Sequence, residues 1–256
     1  MIILCSGEGI SDLGVCDNEI GNCDGTNFRF GPISLVVDGI VSTCLGYSPR
    51  EVHPESYRYY SESALAARAK ARKGFSLTGK KRGVETGYFH INAWMLGEIA
   101  LELEAAENDS VAAFLFRDTD GTNSSPRDLW ERKTSSIEGG FIRADFHRGV
   151  PIVPRPKSES WFLCATKQNP YQHCAALEDL PGNDDSPNSA KRVLAEALGA
   201  DATAEALVDW LDTNGFDPDR LAEQMPSFSA FLERARSVLM GCLFIITIVR
   251  KTDVTI

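Results

Sequence analysis

Histidine is scarce in this chain, 4 residues in 256. None of His53, His90, His147 and His173 stands at a metal-ligand spacing from another, so each reads as structural. The 7 cysteines include no CxxC pair, and an odd count in a chain of this length does not suggest a disulfide framework. Reduced thiols are therefore expected, and a zinc set drawn from Cys16, Cys23, Cys164, His173 and Cys174 matches no familiar structural spacing. Long apolar runs are missing too. The longest, Cys242 to Val249, falls far short of the roughly 20 residues a helix needs to cross a bilayer, and it reads as a buried strand. Met1 to Cys5 lacks a basic flank and runs into Ser6-Gly7-Glu8, unlike a signal peptide, so a cytoplasmic protein with no membrane association is expected. There is no internal repeat and no basic excess. The 26 basic and 36 acidic residues give −10, and residues 181–256, with 7 basic and 12 acidic, carry half of it. Bulk electrostatic attraction for nucleic acid is thereby excluded, although a local patch is not.

What is present is the composition of a folded protein, 43% hydrophobic and 24% charged, long enough for one large domain or one with a small appendage. Ile33, Val36, Val37, Ile40, Val41, Cys44 and Leu45 form a helical stripe that opens at Pro32 and stops at Gly46. Further helices are expected over 61–73, 86–107 and 126–137. Val111 to Phe116 is a continuous apolar run of strand length, the pattern of an interior parallel strand, and shorter strands are expected at 1–5 and 149–153. Strands alternating with helices imply an α/β fold with a mostly parallel sheet flanked by helices. The stretch 181–188, PGNDDSPN, reads as a linker. Beyond it helices are expected over 189–198, 202–212, 217–225 and 227–239, followed by the short C-terminal strand. The chain thus divides into 1–180, with a basic helical insertion at about 50–107, and a helical subdomain over 181–256.

Acids follow the expected strands. Glu8 stands after the first, Asp118 and Asp120 after the second, and Glu159 after a third. In an open parallel sheet the carboxyl ends of the strands line one edge, where ligands bind. Four carboxylates brought together there raise one another's pKa, and a divalent cation relieves the conflict. Hard oxygen donors favour Mg²⁺ or Mn²⁺, and Mg²⁺ commonly completes its shell with substrate phosphate. Asp12, four residues beyond Glu8, joins the face if a helical turn starts there. Between the strands, Arg68, Lys70, Arg72, Lys73, Lys80, Lys81 and Arg82 form a basic run with no intervening acid. Such groups hold a phosphate backbone without reading bases. Arg143, Arg148, Arg155 and Lys157 are candidates to extend the patch.

Glu8-Gly9-Ile10-Ser11-Asp12 resembles the EGxSD signature of Toprim domains, and Asp118-Thr119-Asp120 resembles their DxD. Pro156-Lys157-Ser158-Glu159-Ser160-Trp161 is similar to the third acidic element of small stand-alone prokaryotic Toprim-like proteins related to the catalytic part of OLD-type nucleases. The resemblance covers residues 1 to about 165 and implies a Toprim-like, Rossmann-like fold and a metal-dependent nuclease. It gives Glu8 proton transfer or metal positioning, Asp118 and Asp120 the cation, and Glu159 a second metal site. An ATPase partner in antiviral defence is a further implication, and a homo-oligomer is also possible. The long separation of Glu8 from Asp118 departs from the family pattern. Topoisomerase activity is not implied, since Tyr57, Tyr59 and Tyr60 lie in no recognisable nucleophile-presenting domain. Two other readings stand beside this one. Asp118-Thr119-Asp120-Gly121-Thr122 also resembles the DxDGT signature of haloacid dehalogenase-like phosphatases, with Asp118 as nucleophile and Asp184 and Asp185 as a later acidic pair. The third reading is a non-catalytic interaction module that uses the helical tail.

Overall fold

The computed structural model describes residues 1–9, 11–18, 20–72, 86–120 and 126–252, with side chains as far as 244. In chain order the elements are β1 (Ile2–Gly7), β2 (Gly14–Cys16), β3 (Asn22–Asp24), β4 (Phe28–Phe30), α1 (Pro32–Leu45), α2 (Pro49–Val52), β5 (Tyr57–Ser61), α3 (Glu62–Ala71), α4 (Thr86–Glu107) and β6 (Val111–Phe116). They continue with α5 (Leu129–Arg143), β7 (Gly149–Ile152), α6 (Ser158–Thr166), α7 (Ala190–Leu198), α8 (Ala204–Asn214), α9 (Pro218–Ala222) and α10 (Pro226–Thr252).

The central sheet runs β3-β5-β1-β6-β7. Its β5, β1, β6 and β7 are mutually parallel, and β3 joins the edge antiparallel to β5. The fold is therefore α/β with a mostly parallel sheet flanked by helices. Strand alternation divides the core. On one face Ile3, Cys5, Ala112, Phe114, Phe116, Val150 and Ile152 pack with α1 and with residues of α6 to α10. On the other, Ile2, Leu4, Val111, Ala113 and Leu115 meet α3, α4 and α5. Burial on both faces is why β1 and β6 read as unbroken apolar runs. In α1, Pro32 occupies the first turn and Gly46 closes the helix at φ 81°, its N–H bonded to the Ser42 carbonyl.

Three expectations are corrected. The segment 50–107 is not a purely helical insertion, because β5 within it pairs with β1 along its length. Cys242 to Val249 is not a strand but the end of α10. A short continuous apolar run suits either state, and here a helix already nucleated at Pro226 propagates through it. The thiols are not all reduced: Cys16 is joined to Cys23 and Cys164 to Cys174, leaving Cys5, Cys44 and Cys242 free. Chain reversals over 7 and 10 residues bring each pair together, a closure the sequence spacing does not advertise. The helices beyond residue 189 share one core with the sheet, with Trp161 of α6 stacked on Phe231 of α10 and edge-on to Phe228. Among the described residues no helix is long and apolar enough to cross a membrane.

Candidate active site at the carboxyl edge of the sheet

Where successive crossovers leave a parallel sheet in opposite directions, the strand ends splay and open a crevice. Strand β1 has β5 on one side and β6 on the other, so this point lies between the carboxyl ends of β1 and β6. Glu8 follows β1 and Asp118 to Asp120 follow β6. Gly7 permits the approach: a Cβ there would stand 2.5 Å from the Phe116 carbonyl oxygen. Gly9 turns the chain at φ +78°, and a Cβ there would lie 2.9 Å from Asp12 Oδ2. Beyond β6 the pairing with the next segment continues, Thr119 N–H bonding the Pro154 carbonyl at 3.1 Å and Asp120 N–H that of Pro156 at 3.0 Å. This ladder carries Asp118 and Asp120 alongside Lys157, Ser158 and Glu159. Glu159 follows no strand directly, since it lies in the first turn of α6.

One half of the edge has a buried cation bonded to its acids. Arg117 is buried, and it donates to Glu8 Oε2 at 2.6 Å and to Glu62 Oε1 at 2.5 Å. Its guanidinium lies over the Phe89 ring, 4.7 Å from the centroid. Glu8 Oε1 accepts the Asp118 N–H at 2.9 Å. Burial raises the Glu8 pKa and the Arg117 charge acts against that rise. The expected first acid of the cluster is thus held by an arginine.

The other half is not matched. Asp118 Oδ1 accepts the Ser158 N–H at 3.0 Å, and the Ser158 hydroxyl donates to Asp12 Oδ1 at 2.6 Å. Burial drives the Asp118 pKa well above the usual carboxylate range, and Asp12, Glu159, Asp120 and Glu8 all push it further. Asp12 is raised by burial, against its bonds from Ser158 and Ser11 and the charges of Lys157 and Lys191. Burial raises Glu159 as well, with Asp12 adding to it. The cation nearest this group is Lys157, its Nζ 3.6 Å from Asp120 Oδ1 and 3.0 Å from Asp184 Oδ1. Five acids expected from the sequence, Glu8, Asp12, Asp118, Asp120 and Glu159, do converge electrostatically. Among the described residues no three of them stand as a ready-made metal-ligand set. The donor chemistry suits a hard divalent cation, with carboxylate oxygens that destabilise one another and gather at a strand edge.

The expected basic patch is largely committed elsewhere. Arg68 pairs with Glu102 and, at 3.8 Å, with Glu98. Arg72 bonds Glu98 at 2.6 Å and lies over the Trp94 ring. Arg148 pairs with Glu104, Arg155 bonds Asp179 at 3.2 Å and Arg143 stacks on Trp94. The reason is registry: α3 packs on α4, which presents Glu98 and Glu102 one turn apart to the cations. Lys70 is exposed, and Lys73, Lys80, Lys81 and Arg82 lie outside the described residues.

A cleft of about 610 Å³ opens beside these acids, lined by Asp12, Ser158 and Glu159 together with Ser189, Lys191 and Arg192 of the α7 start. Sequence reading missed Arg117, Glu62, Ser158, Lys191 and Arg192. A lone arginine at the end of an apolar strand was the available signal for Arg117. Nothing in the sequence tied the α7 pair to the edge. No family model matches this chain, and neither a curated protein nor a solved structure does.

Proposed function

We propose that this protein is a metal-dependent nuclease with a Toprim-like catalytic domain over residues 1–180. The observation that carries the reading is Asp118, a half-buried carboxylate at the switch point of the sheet, fixed beside Asp12 through Ser158 and facing the like charges of Asp12, Glu159, Asp120 and Glu8. Asp118, Asp12 and Glu159 are the residues to hold Mg²⁺ or Mn²⁺, with Asp120 at the exposed rim. When bound, such a cation supplies charge neutralisation at phosphate oxygens and a more acidic water. The chain's own groups then have separate tasks. Ser158 fixes Asp118 and Asp12 through its N–H and its hydroxyl, and Arg117 holds Glu8 in place at the end of β1. Lys157 stands beside Asp120, where it can receive a phosphate oxygen. An ATPase partner and a role in antiviral defence are corollaries of the resemblance. The two disulfides favour an oxidising compartment over the cytoplasm expected from the sequence.

The test is incubation of the purified protein with plasmid, linear DNA and RNA in Mn²⁺, Mg²⁺ or EDTA. Cleavage that needs the cation and is lost in Asp118→Asn supports the reading. Cleavage surviving in a Glu8→Ala, Asp118→Ala double variant removes it. One contact favours a second reading, the phosphatase: Lys157 pairs with both Asp184, the first of the later acidic pair, and Asp120 of the DxD. Trapping a phosphoryl analogue on Asp118 in beryllium fluoride decides for that alternative.

A further inference from the structure

The nucleic-acid contact expected from the sequence was the run from Arg68 to Arg82, yet its described arginines face the acids of α4. A different pair of cations borders the acidic edge. Lys191 and Arg192 lie in the first turn of α7, both exposed, and neither has an ion-pair partner among the described residues. They line the same cleft of about 610 Å³ as Asp12 and Glu159, with Asp184 and Asp201 also on its walls. Asp184 is already engaged by Lys157. The helix start itself is capped by the Ser189 hydroxyl, which accepts the Arg192 N–H at 3.4 Å, so the side chains and not the helix terminus are what the cleft offers. The lining contains Ser, Thr, Ala, Pro and Leu besides the charged groups, and no aromatic ring. Stacking on bases is therefore not available there, whereas contact with phosphates is. The volume falls in the range that takes a ligand of nucleotide size.

We propose that Lys191 and Arg192 form the strand-holding wall of this site, gripping the phosphates of a nucleic acid in the cleft that Asp12 and Glu159 also line, without base preference. The proposal rests on the nuclease reading for its substrate and names the contact that reading lacked. It is tested by binding alone, using fluorescence anisotropy of labelled single-stranded DNA and RNA oligonucleotides of mixed sequence, with Ca²⁺ and with EDTA. The proteins compared are the wild type, Lys191→Ala/Arg192→Ala, Lys191→Glu/Arg192→Glu and Asp118→Asn. Both side chains are exposed, and circular dichroism checks that the variants fold. The wild type is expected to bind with little sequence preference. The alanine pair should weaken binding at least about tenfold and lower the salt slope by about 0.7 for each lost phosphate contact, and the glutamate pair should weaken it further. No binding by the wild type, or equal binding by the alanine pair, overturns the proposal. Binding that depends on Lys191 and Arg192 with no cleavage under any condition upholds the wall and discards the nuclease reading.

Discussion

The flank where α3 meets α4 and the carboxyl edge of the sheet are both rich in charge, and they are built on opposite terms. On the flank, Arg68 and Arg72 meet Glu98 and Glu102, and the charges close on themselves. At the edge, Asp118, Asp12 and Glu159 crowd together with Lys157 as their nearest cation, and that lysine is shared with Asp184. Charge density therefore does not identify a site; unbalanced charge does. The edge contains the same contrast on a smaller scale, since Arg117 is bonded directly to Glu8 and Glu62, whereas Asp118, Asp12 and Glu159 make no ion pair among the described residues.

The comparison breaks most severely if Arg117 is removed. Arg117→Ala leaves two partly exposed carboxylates facing each other without their shared cation, and a loss of about 2–4 kcal/mol, discounted for their contact with water, is expected in urea unfolding. A smaller loss leaves Glu8 and Glu62 better hydrated than their contacts imply. Next come the disulfides, which brace both segments of the edge: Cys16–Cys23 follows the Asp12 turn, and Cys164 sits on α6 behind Ser158 and Glu159. Opening either one should cost about 2–3 kcal/mol by loop entropy, read as a fall in midpoint under reductant, with mass spectrometry locating the bonds.

The unmatched acids give an effect of opposite sign. A carboxyl whose folded pKa is raised binds its proton more tightly in the native state, so stability is lost as pH rises through the folded value. Asp118, Asp12, Glu8 and Glu159 are all raised, and in EDTA the melting temperature should fall from pH 5 to pH 8. Asp24 and Asp219 are held low and act the other way, Asp24 by its own turn bonds from Thr26 and Asp219, which is exposed, by Arg236. Asp118→Asn keeps the oxygen that accepts the Ser158 N–H and removes the central charge. It should stabilise the cation-free protein by about 1–3 kcal/mol and flatten the pH trend. A destabilised Asp118→Asn would mean that the acids are balanced after all. The smallest effect belongs to the flank, where Arg68→Ala with Arg72→Ala should cost under about 2 kcal/mol in total and leave oligonucleotide affinity unchanged. A large loss of affinity there would restore the basic run as the strand contact.

How much of this was legible in the sequence depended on whether the signal was local. The α1 stripe and the β6 run announced themselves, because burial on one helix face and on both strand faces writes a period into the residues. Strand β5 did not, although Tyr57, Tyr59 and Tyr60 have strong strand propensity; Arg58 and the exposed flanks interrupted the apolar pattern. In the structure Tyr57 is buried and bonds Asp38 at 2.7 Å, and Tyr59 stacks on Phe28. Glu8, Asp118 and Asp120 could be placed at one edge because strand ends share an edge in any parallel sheet. Their partners could not, since Ser158 to Asp12 and Arg117 to Glu8 are contacts between positions more than 100 residues apart. The disulfides and the fate of the Arg68 run were hidden for the same reason: pairing is decided by packing.

The account depends on an edge that is short of positive charge and takes a divalent ion to supply it. Calorimetric titration of Mn²⁺ into the cation-free wild type at neutral pH, beside Asp118→Asn, measures this directly. Saturable binding by the wild type that disappears in the variant is the predicted result. Absence of binding, or equal binding by both proteins, would contradict the account.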